Sequence, residues 1–170
     1  GKMFRSNEIN VQNSIDPFYI EDGGKKYLFW GSFRGIYGIE LSDDGLSIKE
    51  GAKLRQVAGT AYEGTYIHKK DGYYYFFASI GTCCEGLKST YTTVVGRSKK
   101  LFGPYVDKNG KKMLDNHHEI LIHKNEAFVG TGHNSVLDKT GFTIAKTPLK
   151  VRQPVFGNFH KLLIGHTPCS

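Results

Sequence analysis

Residues 13–20 read NSIDPFYI and residues 62–67 read YEGTYI; in register, 47 positions apart, Asp16 falls on Glu63 and Tyr19-Ile20 on Tyr66-Ile67. At the same interval Tyr27 falls on Tyr74, Phe29 on Phe76 and Ser32 on Ser79, so GGKKYLFWGS overlays KDGYYYFFAS. Each copy predicts a strand, a glycine-containing hairpin and a second strand, because Gly-Gly and Asp-Gly supply the turn and the flanking aromatic and aliphatic runs suit buried strands. A period of roughly 40–50 residues that carries several short strands is the sequence sign of a β-propeller blade. A plain β-meander would explain the hairpins but not the recurring acids. In a propeller the innermost strands converge on one axis, so Asp16 and Glu63 are expected to face a common cavity.

A third strand start is expected at VGTGHNSVLDKTG, residues 129–141, where His133 precedes an apolar run as Asp16 does and joins the same inner ring. Between the second and third starts, STYTTVVGRSKKLFGPYVDKNGKKM predicts an outer strand, a Gly-Pro turn and a Lys-Asn-Gly hairpin. The fold class is therefore all-β: a partial β-propeller of two to three blades.

Composition agrees. The 170 residues are 39% hydrophobic, enough to bury a core, and 21 glycines, 10 tyrosines and 11 phenylalanines favour short strands and turns over long helices. A formal net charge of +7 suggests a polyanion partner until its distribution is followed. Lys146, Lys150, Arg152 and Lys161 stand in an acid-free tail from Gly141 on, which leaves +3 for everything before it, so no nucleic-acid groove is expected. No apolar stretch is long enough to span a bilayer, and the first ten residues lack a signal-peptide core, so neither a membrane partner nor a signal segment is expected in this chain. Cys83, Cys84 and Cys169 match neither a zinc spacing nor a disulfide framework.

Paired carboxylates in a concave, aromatic-lined cavity are what glycoside hydrolysis requires: one donates a proton to the departing oxygen, another activates water or attacks the anomeric carbon. NSIDPFYI, YLFWGSFRGI, EGTYI, GYYYFFASIGTCCEG, STYTTVVGRSKKLFGPYVDKNG and GTGHNSV, taken together and in order from Asn13 to Gly141, closely resemble the arabinanases of glycoside hydrolase family 43. The resemblance implies a five-bladed propeller, an inverting mechanism, and arabinan or arabino-oligosaccharides with α-1,5-linked L-arabinofuranose as substrate. It makes Glu63 the general acid and Asp16 the aspartate that modulates and orients it. Asn13, Ser32 and Phe33 fall where the family lines its sugar cleft, and Trp30 and Tyr66 are candidate stacking platforms. His133 matches the histidine that helps hold a cation, usually calcium, on the axis. Cys83-Cys84 matches a cysteine pair of these enzymes. A polymeric plant-cell-wall substrate implies a secreted or periplasmic full-length protein.

Two departures accompany the match. The family's general base is an aspartate upstream of the IDP motif, and no aspartate precedes Asp16 here. Residues 1–141 are thus expected to be a truncated catalytic propeller, from the second blade to the start of the fourth, able to bind sugar but to turn it over poorly. A non-catalytic carbohydrate-binding propeller is the alternative. Residues 142–170 leave the family's pattern and are expected to be a divergent, frameshifted or non-native tail, since one codon choice for residues 142–147 reads Tyr-His-Ser-Lys-Asp in a shifted frame. Unpaired blade edges predict self-association or pairing with the missing segment.

Overall fold

The computed structural model describes residues 6–137 and 142–145. After a single helical turn, α1 (Ser6–Ile9), the chain lays down β1 (Phe18–Asp22), β2 (Lys25–Trp30), β3 (Ile36–Glu40) and β4 (Arg55–Ala58) as one antiparallel sheet in chain order. A second sheet repeats the plan with β5 (Glu63–Lys70), β6 (Tyr73–Ile80), β7 (Thr92–Ser98) and β8 (Glu119–Ile122). A third hairpin follows, β9 (Asn134–Leu137) with β10 (Phe142–Ala145). Four-stranded meanders that pack face to face are propeller blades, as the repeat predicted. Asp138 to Gly141, and the tail from residue 146, lie outside the described residues. Among the described residues no helix is long and apolar enough to cross a membrane.

Turn chemistry fixes both inner hairpins. Gly23 and Gly24 have φ of 58° and 76°, and Asp71 and Gly72 have φ of 50° and 76°. Positive φ at both central residues is what a two-residue turn matched to strand twist demands. The resulting registers correct the sequence alignment by one residue. Phe18 pairs with Phe29 in the first blade and Tyr66 with Phe77 in the second, so equivalent positions along the hairpins, Phe18 and Tyr66, stand 48 apart and not 47. A one-residue slip exchanges the two faces of a strand. Phe29 and Phe76 are therefore not equivalent; they meet from opposite sides of one interface.

That interface is the core. Phe29, Ile36 and Val57 of the first blade pack with Ile67, Phe76, Ala78 and Val94 of the second, with Tyr105 and Met113 closing the outer end. A smaller cluster of Val11, Trp30, Ile39 and Leu41 fills the opposite face of the first sheet. At the solvent end the interface is clamped by charge. Asp22 of β1 accepts from Lys69 at 2.5 Å and from the Tyr74 hydroxyl at 2.6 Å. Burial pushes the Asp22 carboxyl up, but the hydrogen bonds from Lys69 and Tyr74 outweigh it and leave the group below its ordinary value.

A carboxyl that titrates lower folded than unfolded contributes stability above its unfolded pKa, about 3.9, and loses it as pH falls through the lower folded value. Lys69 is held upward, so the upper limit is alkaline. Asp22→Asn should lower the thermal midpoint by roughly 1–3 °C at neutral pH, the modest scale of a partly exposed pair. Midpoints of the two proteins measured down the acid range should converge once Asp22 is protonated in the parent.

Candidate active site

Glu63 opens β5 and is 8% exposed. Its strand entry is built by a segment far along the chain: Gly59 N donates to Met113 O at 2.9 Å, Ala61 N to Asn116 Oδ1 at 3.0 Å, and the Tyr62 hydroxyl to His117 O at 3.2 Å. A side chain at Gly59 is excluded, since its Cβ would stand 2.2 Å from Asn116 Oδ1. Glu63 then pairs with Ser79, while the next pair is Tyr66 with Phe77, so Gly64 and Thr65 together oppose Ala78. This is a β-bulge, a device that re-aims a side chain without disturbing the ladder beyond it. Its extra residue accounts for the acids repeating at 47 while the hairpins repeat at 48.

A buried carboxylate needs donors. Ser32, 1% exposed, donates its hydroxyl to Glu63 Oε2 at 2.7 Å. Tyr91 lies beside Glu63 and Ser79; burial first, then the neighbouring Glu63 carboxylate, holds its phenol far above the ordinary value, so it stays protonated. Asp16, with φ of 53°, accepts the Gly64 N–H on Oδ2 at 3.0 Å, which brings the two repeated acids onto adjacent residues of one backbone. His133, with φ of 55°, donates its N–H to Ser79 Oγ at 2.7 Å. Its ring lies over Gly64, where a Cβ would be 3.3 Å from His133 Nδ1. The three motifs read from the sequence thus converge on the Glu63-Gly64 unit.

The remaining predicted residues divide. Asn13 has φ of 55° and donates Nδ2 to Ser32 O at 2.8 Å, holding the serine that holds the acid. Phe33 has φ of 49°, donates its N–H to Tyr62 O at 2.8 Å and is 39% exposed. Left-handed backbone at non-glycine residues costs about 1–3 kcal/mol and gathers where geometry serves a site. Tyr66 is a strut: its ring packs 4.9 Å from Phe18 and its hydroxyl donates to Val136 O at 3.2 Å, joining β1, β5 and β9. Trp30 is not brought to the cleft. It is 2% exposed in the smaller cluster, with Nε1 donating to Ser14 Oγ at 3.2 Å, because its strand position faces away from the neighbouring blade.

Tyr91 was missed in the sequence. Nothing in STYTT separates it from the strand tyrosines, although Gly132 is an indirect sign: a Cβ there would stand 2.2 Å from Tyr91 Cδ1, so the GTGHN turn and the tyrosine are mutually fitted. For a cation, the described residues offer no cluster of three His, Cys, Asp or Glu side chains. They do offer unpartnered oxygen atoms: Thr65 Oγ1, next to Gly64, and Asn134 Oδ1, next to His133, are buried with no hydrogen-bond partner. Hard oxygen donors beside an imidazole are compatible with calcium or with ordered water.

Residues 1–145 match the profile of Glycosyl hydrolases family 43. The chain is 40% identical over 142 residues to the extracellular exo-α-(1→5)-L-arabinofuranosidase of Cellvibrio japonicus, covering 74% of this chain and 41% of that protein. It is 36% identical over 145 residues to the extracellular endo-α-(1→5)-L-arabinanase 1 of Bacillus subtilis, covering 81% and 44%. The Cellvibrio cellulosa α-L-arabinanase complexed with arabinohexaose superposes with a TM-score of 0.72 at 33% identity, over 80% of this chain and 52% of that one. The chain therefore spans about half the length of the relatives it matches.

Gly64 is the position where substitution tests the convergence. Gly64→Ala forces an L side chain to φ of 64° and crowds His133 and Ser79. It should destabilise the fold by about 1–2 kcal/mol from the left-handed backbone alone, read as a lower urea midpoint at unchanged slope.

Proposed function

We propose that this chain, which belongs to glycosyl hydrolases family 43, is the acid-bearing part of a secreted arabinanase that cleaves α-1,5-linked L-arabinofuranose in arabinan with inversion. The observation that carries the reading is the buried carboxylate of Glu63, held by Ser32 and neighboured by Tyr91, with Asp16 on the next backbone N–H. Three residues from separate segments, Ser32, Tyr91 and Asp16, are organised around one carboxyl, as a general acid requires. Two relatives, at 40% and 36% identity, are extracellular proteins named for this linkage.

In this reading Glu63 gives its proton to the glycosidic oxygen as the bond to the anomeric carbon breaks. Ser32 fixes the carboxyl so that the proton points at the departing oxygen, and Asp16 is the second carboxylate that modulates and orients it. The exposed ring of Phe33 stacks on a sugar face beside the acid. Asn13 acts through Ser32, Tyr66 supports the strand, and Trp30 takes no part. Inversion needs a base about 6.5–9.5 Å from the acid, across the bond, to admit water. The reading assigns no residue of this chain to that role; the base and the remaining blades are the partners it calls for. Calcium on the axis would take His133 and Asn134 and would organise the site by its charge. No proton-transfer step runs through it.

Reducing-sugar release from debranched arabinan tests the proposal. Glu63→Gln should lower release by about 10²- to 10⁴-fold, the usual worth of a positioned acid, while affinity for arabino-oligosaccharides measured by calorimetry is kept. Binding without release from the parent protein would select the non-catalytic carbohydrate-binding reading. Absence of both would sink the arabinan assignment.

A further inference from the structure

The loop from Gly81 to Thr90 joins β6 to β7 at the end of the second blade that carries Glu63, because Glu63 pairs with Ser79 two residues before the loop begins. Its base is rigid. Gly81 has φ of 81°, and a Cβ there would stand 2.7 Å from Thr90 O. Thr82 N donates to Thr90 Oγ1 at 3.0 Å and Ser89 Oγ donates to Thr82 O at 2.7 Å. At the tip a single turn forms, with Lys88 N donating to Glu85 O at 3.1 Å. Inside this frame Cys83 and Cys84 are both exposed and free, and Cys84 takes φ of 66°. Their sulfurs lie 2.9 Å apart.

We propose that Cys83 and Cys84 are a redox modification site, a vicinal dithiol that closes to an intra-loop disulfide by exchange with a low-molecular-weight disulfide such as oxidised glutathione. Bond formation requires the sulfurs to approach by less than about 1 Å, since a disulfide spans about 2.0 Å. Both sulfurs are open to solvent, so the incoming disulfide can reach them. One thiolate attacks a sulfur of the reagent, forming a mixed disulfide and expelling the first reagent thiolate. The second cysteine gives its proton to solvent and displaces the other reagent thiolate, closing the ring. Two electrons and two protons pass from the protein, and the reagent leaves as two thiols. The shared hydrogen bond, foremost, pushes the Cys83 thiol up to about 11, with the Glu63 charge adding to it.

The closed form is a switch and not a staple. Adjacent Cα atoms are only about 3.8 Å apart across a trans peptide, shorter than the usual disulfide span of about 4.4–6.8 Å. Strain of that kind makes a disulfide readily reducible. Secreted proteins meet such oxidants.

The test uses the folded chain carrying Cys169→Ser, which leaves only these two cysteines, incubated with oxidised glutathione and read by intact mass and non-reducing peptide maps. The expected product has lost two hydrogens, carries no glutathione and returns to the dithiol with dithiothreitol. Adding Cys83→Ser, or Cys84→Ser in a second variant, should instead trap a glutathione adduct on the remaining cysteine. A persistent adduct in the dithiol protein overturns the proposal, as does an unreacted pair under conditions where the single-cysteine variants react. None of these results depends on what sugar the cleft binds.

Discussion

Three blades meet at a residue with no side chain. Gly64 gives its N–H to Asp16 of the first blade, sits in the bulge of the second, and lies under the ring of His133 from the third. Positive φ and close approach are both demanded there, and glycine meets them together. The placement of Glu63 depends on this junction, because the carboxylate precedes Gly64 in the same bulge. What looks like an active-site residue is thus the product of a packing constraint one position away.

Hydrophobic burial and polar contacts have different tasks between the first two blades. Phe29, Phe76 and their neighbours supply most of the cohesion; full burial of one such side chain contributes about 1.5–3 kcal/mol. That term does not by itself set how two sheets slide past one another. Position is set at the rims, by Asp22 with Lys69 and Tyr74 at the solvent end and by Asp16 with Gly64 at the axial end. Clamps at both ends of a greasy interface leave the blades little freedom to shear.

Much of this was legible in the sequence because it is written in local chemistry. Gly23-Gly24 and Asp71-Gly72 declare their hairpins, the aromatic runs declare buried strands, and the spaced acids declare an axis. Registers were less legible, since the direct match of Phe29 with Phe76 is more attractive than the true equivalence of Phe29 with Phe77; Gly64 inside a strand pattern is a sign of a bulge or of close backbone approach and does not say which. Trp30 misled for a related reason: composition marks an indole as a sugar platform or as core filler without saying which face of the strand bears it. Tyr91 and the Asn116 turn were invisible because their partners lie tens of residues away, and only folding brings them together.

The bulge at Gly64-Thr65 divides the second blade into two regions with different freedoms. Outward from Tyr66 the first two hairpins keep a 48-residue pitch, so their strand and turn positions correspond. Inward of it one residue has been added without any change beyond. The axial ends of the strands are consequently free to vary in length and direction while the blades behind them keep one standard pattern. Chemistry on this scaffold is modular at a joint one peptide wide.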